Sequence, residues 1–351
     1  GILDAAVSGQ PSWELMSHLA YLQFLGCLKT HFNLPMTASS EREFRDSLVD
    51  FEAEIKDWHV EFLRDIHESS RGYPLRPVRE FPDLEDRIRD IGIRAGLEGS
   101  GSQKELRPAI CLTHDLDNLQ PTLQMRLKRL ITQRKFRLKS SKDDFLTSLE
   151  TLLKFNNQIA GKTGCSTVFV ACKSQSPSVS TRLSQWFIDP AYSPEDADLG
   201  TFLRLLDSEN CEVGLHGSFF SLSHDLLSNE KEILEEVLGR PVSLSRQHWL
   251  HLPTQDSMEK IWSAGLRIDS SLGWNGNVGF RCGMARPFPI VLDARRTLWE
   301  VPLLLMDGPI FDDLGLDFEG AISLSRELLG QVKERGGCVA INWHERAASP
   351  D

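Results

Sequence analysis

Long apolar runs are what this chain most plainly lacks. Nowhere does it approach the roughly 18 consecutive apolar residues that a membrane-crossing helix needs, so no membrane span is expected. Positive charge is also scarce. With 39 Lys and Arg against 50 Asp and Glu the formal net charge is −11, which argues against nucleic acid or an anionic membrane surface as the main partner. No basic-then-apolar leader opens the sequence, the pattern a secretory signal would show. The seven cysteines are odd in number and scattered, several inside apolar strand-like runs (Cys111, Cys165, Cys172, Cys338), and no CxxC spacing occurs. Neither a disulfide framework nor a thiolate zinc site is indicated. A reducing, cytoplasmic compartment is the expectation.

What is present is an ordinary globular composition, 40% hydrophobic and 25% charged over 351 residues. That length exceeds one average domain and suits one barrel plus a smaller piece. Residues 12–30 and 41–70 carry apolar side chains at helical spacing (Leu15, Leu19, Leu22; Phe51, Ile55, Trp58, Phe62, Ile66), which predicts amphipathic helices. Pro74, Pro77 and Pro82 interrupt the pattern over 71–95, and Gly96 to Lys104 has linker composition. The division expected is a helical region with linker over 1–105, packed separately, and an α/β unit over 106–351. His18, His31, His59 and His67 fall in the first part without ligand spacing.

From Pro108 onward short apolar strands alternate with helical stretches, the mark of a parallel α/β fold. The strand candidates are 109–114, 166–171, 211–216, 243–248, 266–270, 298–305 and 338–344. Seven of them suit a distorted (β/α)7 barrel. Between the first two lies 126–142, with eight Lys or Arg and no acid, read as a solvated helix face or as a grip for an anionic substrate.

The first strand ends in Thr113-His114-Asp115-Leu116-Asp117. Side chains alternate along a strand, so Asp115 and Asp117 point the same way, with His114 and Leu116 opposite. Two like charges that close are costly unless a cation sits beside them. A divalent metal on one carboxylate, with the other reserved as a base, resolves the conflict; simple helix capping is the plainer alternative. Other polar residues also fall at strand ends: His216, Arg246 and His248, Asp269, Glu300 and His344. In a parallel barrel that rim carries the active site.

These residues resemble a known family. Thr113-His114-Asp115-Leu116-Asp117 is similar to the first motif of the polysaccharide deacetylase (NodB-homology, carbohydrate esterase family 4) proteins. Gly214-Leu215-His216-Gly217-Ser218 resembles their second motif, Arg246-Gln247-His248 their third and Trp343-His344 their last. Asp269-Ser270-Ser271-Leu272-Gly273-Trp274, Gly279-Phe280-Arg281-Cys282-Gly283 and Arg286-Pro287-Phe288 resemble a bacterial subgroup tied to surface-polysaccharide biosynthesis.

The resemblance covers about 108–346. It implies a NodB-like barrel that uses a divalent metal, zinc by preference, to remove an N-acetyl group from an N-acetylated sugar or glycoconjugate. Carried over, Asp115 is the general base, Asp117 and His216 are metal ligands, Arg246 orients and charges the base, and His344 is the general acid. The second motif departs from the pattern. Its usual second histidine is replaced by Phe220, which cannot ligate. His248 is the expected substitute, with His224, water or a weakened metal site as alternatives. A catalytically inactive carbohydrate- or partner-binding barrel, or a hydrolase of a non-sugar amide, are the other readings.

Overall fold

The computed structural model of the protein describes residues 13–32, 47–67, 72–74, 77–96, 107–117, 143–160, 165–172, 178–190, 192–208 and 211–344. Nine strands form one sheet: β1 (Ala109–Leu116), β2 (Ser166–Ala171), β3 (Cys211–Gly217), β4 (Leu244–Gln247), β5 (Ile268–Asp269), β6 (Phe288–Val291), β7 (Thr297–Glu300), β8 (Leu303–Met306) and β9 (Cys338–Asn342). Their order is β6-β7-β5-β4-β3-β2-β1-β9-β8, parallel except for the antiparallel pair β6–β7. β1 to β5 are laid down in consecutive positions, so the sheet winds in one direction as a barrel does. The strands read as continuous apolar runs because they are covered on both faces; Val168, Val170, Val213 and Leu215 are fully buried.

The sheet curls because β7 and β8 sit near opposite ends of the ladder yet are joined by only Val301 and Pro302. Val301 N donates to Asp269 O at the end of β5, whereas Pro302 O accepts from Ala340 N of β9. Proline has no N–H to continue a ladder, and at that residue the chain changes partners and brings the two ends of the sheet together. The expected strand 298–305 is therefore two strands. β6, which the sequence reading did not anticipate, pairs with β7 as an antiparallel edge. The α/β distorted barrel is otherwise as expected.

Among the described residues of this unit there are six α-helices: α4 (Asp143–Ala160), α5 (Val179–Ile188), α6 (Ala197–Ser208), α7 (Leu227–Leu238), α8 (Ser257–Ser263) and α9 (Phe318–Glu334). Ser178 caps α5 by accepting from Thr181 N, and Asp317 caps α9 by accepting from Gly320 N, each meeting one unsatisfied amide of a first turn. The basic run 126–142 and most of the linker (97–106) lie outside the described residues.

Before the barrel come α1 (Trp13–Phe32), α2 (Glu52–His67) and α3 (Asp83–Arg94). α3 occupies a stretch that its prolines had suggested was irregular; Pro82 stands immediately before its first turn, where a missing N–H does no harm. Separate packing of this region is not what the structure shows. Phe24, Leu28, Trp58, Phe62, Leu84 and Ile88 belong to the same buried cluster as Val168, Leu215 and Phe288. The Phe62 and Phe288 rings meet edge to face at 5.6 Å.

Polar joints complete the seam. Gln23 donates to Pro289 O at 2.6 Å and accepts from Val291 N at 2.7 Å, covering the open edge of β6 as a strand would. Fully buried Arg281 donates to Asp65 O and Ile66 O in the last turn of α2 and to Gly273 O. Arg286 pairs with buried Glu85 of α3 at 2.6 Å. Both arginines come from the motif stretch 279–288, which here docks the N-terminal helices.

Candidate active site

β1 delivers its carboxylates to one side, as strand alternation requires. Thr113 and Asp115 both meet Arg246, while His114 faces away, its Nδ1 2.6 Å from Trp343 O and its Nε2 2.7 Å from Asn156 Nδ2. Asp117 follows the last residue of β1. His216, one residue before the end of β3, is in register with Arg246 of β4, and His248 begins the turn after β4. Gly214 in β3 is required by close packing, since a Cβ there would lie 2.9 Å from the Phe169 ring. That ring supports the Arg246 guanidinium at 4.5 Å.

Two backbone carbonyls decide which histidine nitrogens face inward. His216 Nδ1 lies 3.0 Å from Arg246 O, and His248 Nε2 lies 3.2 Å from Ile188 O. A carbonyl only accepts, so these nitrogens carry the protons, and the neutral rings turn the lone pairs of His216 Nε2 and His248 Nδ1 inward. The two are 3.0 Å apart, and Asp117 Oδ1 lies 3.5 and 3.4 Å from them. Asp117 Oδ1 is buried and has no hydrogen-bond partner.

Three electron-pair donors this close are unfavourable unless positive charge sits among them, supplied by a proton on His248 or by a metal ion at their meeting point. Ligand distances of about 2.0–2.2 Å imply tetrahedral edges of about 3.3–3.6 Å. The two Asp117 separations match that edge, and the His216–His248 separation is a little shorter. Among the described residues this trio is the one group of histidine, cysteine and acidic side chains arranged to hold a metal ion.

The electrostatics agree. Burial pushes the Asp117 carboxyl up, but the neighbouring imidazoles His248, His216 and His344 hold it well below the usual carboxylate range. Burial lowers the His248 imidazole, yet Asp117 and Asp189 raise it overall. The site draws positive charge.

Asp115 stands beside this trio with each oxygen held: Oδ1 accepts from Arg246 Nη1 and Oδ2 from Asn342 Nδ2, both at 2.9 Å. Burial raises its carboxyl, and Arg246, His216 and His344 more than offset that. Arg246 is itself fixed by Ser270 O, Ser270 Oγ and Thr113 Oγ1. On the other side His344 Nε2 lies 3.7 Å from Asp117 Oδ2, and His344 Nδ1 lies 2.5 Å from Asp307 Oδ1. Burial lowers this imidazole, but the Asp307 hydrogen bond and the charges of Asp307, Asp117 and Asp115 raise it to about 9. It is cationic at neutral pH and turns Nε2–H into the cleft.

The structure thus brings together Asp115, Asp117, His216, Arg246, His248 and His344. Phe220 packs between Phe219 and His224, and His224 Nε2 is 3.5 Å from Thr181 Oγ1, away from the trio. Asp269 and Glu300 are not part of the site: Asp269 accepts from Ser245 and Ser271, and Glu300 from Leu272 N. Sequence reasoning missed Asp307 and Asn342. Asp307 follows the apolar β8 and is an acid at a strand end, the same signal used elsewhere; Asn342 is a lone polar residue near the end of β9. The cleft above these groups has a volume of about 240 Å³, and Tyr73, Trp249, Asn275, Asp312 and Asp313 also line it.

No protein-family profile and no curated protein matches this chain. Among solved structures it is similar to a candidate polysaccharide deacetylase from Mycobacterium smegmatis, at 18% identity over 71% of this chain and 82% of that one, with a TM-score of 0.48. A mutant of a CE4 family pseudoenzyme with restored enzymatic activity aligns at 11% identity over 69% of this chain and 58% of that one, TM-score 0.32. The chitin deacetylase of the fungal pathogen Colletotrichum lindemuthianum aligns at 14% identity over 70% and 89%, TM-score 0.30.

Proposed function

We propose that this protein is a metal-dependent hydrolase that removes an N-acetyl group from an N-acetylated sugar or glycoconjugate. One observation carries the reading: three convergent lone-pair donors lie between an arginine-paired carboxylate and a cationic imidazole, all in one cleft. A divalent ion held by Asp117, His216 and His248, zinc by the preference of nitrogen and carboxylate ligands, would supply Lewis acidity that acidifies water and polarises an acyl oxygen.

The chain's own residues account for the proton movements. Asp115, kept ionised by Arg246, retains a free lone pair on each oxygen and accepts a proton from the attacking water. As the tetrahedral adduct collapses, the C–N bond breaks and His344 Nε2 gives its proton to the leaving nitrogen. Asp307 holds the Nδ1 proton, so the transferable one is on Nε2. Acetate and a free amine result.

Phe220 favours a second reading, a barrel that binds a carbohydrate or a partner protein without catalysis. Fold and site also leave open an amide on a non-sugar substrate. Metal analysis of the purified protein, together with acetate release from N-acetylglucosamine oligomers and from simple N-acetyl amides, tests all three. About one divalent ion per chain with acetate from the sugars is the expected result. Turnover of the simple amides alone would shift the substrate class, and no retained ion with no acetate from any compound would favour the binding barrel.

A further inference from the structure

Between Thr113 and Asp115, which both meet Arg246, stands a buried histidine that the proton movements leave unused. His114 lies on the face of β1 that carries Leu116 and does not line the cleft. An apolar side chain would fill that place without the cost of taking two ring nitrogens out of water. Both nitrogens are nevertheless satisfied. Nδ1 lies 2.6 Å from Trp343 O, and Nε2 lies 2.7 Å from Asn156 Nδ2. A carbonyl only accepts and an amide nitrogen only donates, so the ring is neutral, with its proton on Nδ1 and its lone pair on Nε2. Burial holds the imidazole below its usual range, more than offsetting the Trp343 carbonyl and the Asp115 charge.

The acceptor gives this contact its meaning. Trp343 O belongs to the peptide that joins Trp343 to His344, and His344 is the acid of the proposed reaction. β9 ends at Asn342, and its register with β1 stops at the pair Thr113–Asn342. Past that pair Trp343 N still donates to Thr113 O at 3.0 Å, and the Trp343 carbonyl is met by the His114 side chain. Both polar groups of residue 343 are thereby fixed to β1, the strand that carries Asp115. Asp307 holds the far end, the His344 ring, through Nδ1. Asn156 in turn ties the His114 ring to α4 and, by donating to Ser166 Oγ at 2.8 Å, to β2. The imidazole cannot turn without losing a bond on each side.

We propose that His114 is a positioning residue for the acid: its Nδ1–H fixes the Trp343–His344 peptide and so sets where His344 Nε2 stands relative to Asp115. Its effect on rate rests on the deacetylase reading, whereas its effect on the His344 ring does not.

Three substitutions separate the two bonds. Asn places its amide nitrogen where Nδ1 stood, which keeps the donor to Trp343 O and gives up Asn156. Gln places its amide oxygen where Nε2 stood, which keeps the acceptor for Asn156 and gives up the donor to Trp343 O. Leu keeps neither. Each full-length, zinc-loaded variant is assayed for acetate release from N-acetylglucosamine oligomers, zinc content, urea unfolding and the NMR signals of its imidazoles. His114→Gln and His114→Leu should lose kcat by about 10–100-fold, the scale of an ångström of misplacement, with KM and zinc content unchanged. His114→Asn should keep most of the wild-type kcat. Asn and Gln each give up one buried hydrogen bond and should lower the urea midpoint alike, so a merely structural histidine would slow both to the same degree. The His344 ring signals should move in the Gln and Leu variants and stay in place in the Asn variant. Wild-type His114 should carry its proton on Nδ1.

Equal losses of rate in the Asn and Gln variants overturn the assignment, as does a Gln variant as fast as wild type or a wild-type His114 protonated on Nε2. Should the Leu variant fail to fold, the Asn and Gln pair decides alone. If wild type releases no acetate, the deacetylase reading falls and the spectra decide the positioning role. His344 signals that move in the Gln variant but not in the Asn variant uphold it, and signals that move in both or in neither overturn it.

Discussion

Asp115 and Asp117 are two residues apart yet hold different partners, and that difference can be measured. Asp115 meets Arg246 and Asn342, whereas Asp117 Oδ1 faces His216 and His248. Asp115→Asn is expected to retain metal and lose about 10²–10⁴-fold in rate, the usual consequence of removing a general base; Asp117→Asn should lose both metal and rate. Near-normal turnover by Asp115→Asn would remove it from that role. For the third ligand, His248→Ala should weaken metal binding by tenfold or more, at least the loss seen for residues that only support a ligand. His224→Ala should leave affinity nearly unchanged. Metal titration of the two variants separates them, and an unaffected His248→Ala protein would strike His248 from the shell.

The pH profile belongs to the same scale. His344 acts as an acid only while protonated, and its imidazole is raised to about 9. The rate should therefore fall as pH rises through about 9. Exchanging Asp307 for Asn removes its charge and leaves an amide oxygen as a weaker acceptor for Nδ1–H, so burial, which lowers the imidazole, weighs more heavily. Asp307→Asn should move this alkaline limb to lower pH, and a profile with the limb in place would show that Asp307 does not set it. Of these residues, six were legible because each is a polar group at the end of an apolar run. Asp307 and Asn342 were not: their roles depend on which strands neighbour β9, and local spacing does not record that.

At the scale of elements, the strands that read most clearly were β1 to β3; β2 and β3 are buried along almost their whole length and β1 over its second half. β6 was missed because Phe288-Pro289-Ile290-Val291 contains a proline, tolerable only at an edge, and its edge is covered by the Gln23 side chain, 266 residues from Pro289 in sequence. The closure at β5 and β7 carries its own prediction. Glu300 is fully buried in register with Asp269, and burial followed by the Asp269 charge raises its carboxyl well above the ordinary range. The folded protein keeps a proton that the unfolded chain releases above about pH 4.3. This stabilising contribution is complete below that pH and disappears as pH rises through the folded value. Glu300→Gln retains an acceptor for Leu272 N and has no proton to lose, so its stability relative to wild type should increase with pH. Urea unfolding at pH 4 and pH 8 checks this, and an equal difference at both values would refute it.

At the scale of the whole molecule the N-terminal helices and the barrel share one core. Trp58 is fully buried, stacks on Phe62 at 5.0 Å and donates to Leu84 O at 3.0 Å. Trp58→Ala should destabilise by about 3–5 kcal/mol, as large-to-small core changes do, and should lower the unfolding midpoint of β-sheet and helical signals together. Two resolved transitions, with only the helical one shifted, would show that the regions fold independently after all. The linker composition at Gly96 to Lys104 suggested independence, but linker flexibility reports on the chain between elements and not on how their apolar faces meet.

By itself the sequence determined the alternation of apolar strands and helices, the polar residues at strand ends and the absence of a membrane-spanning run, since all of these follow from composition and short-range period. Only the tertiary structure decided which of those polar residues converge. His216 and His248 meet because β3 and β4 are neighbours, and Asp307 reaches His344 because β8 pairs with β9. The chain closes its barrel at Pro302, and Tyr73 enters the cleft through a hydrogen bond between Asn275 and Gly72. Each of these contacts joins residues distant in sequence, and such pairing depends on strand order and register, which no local pattern of residue types encodes.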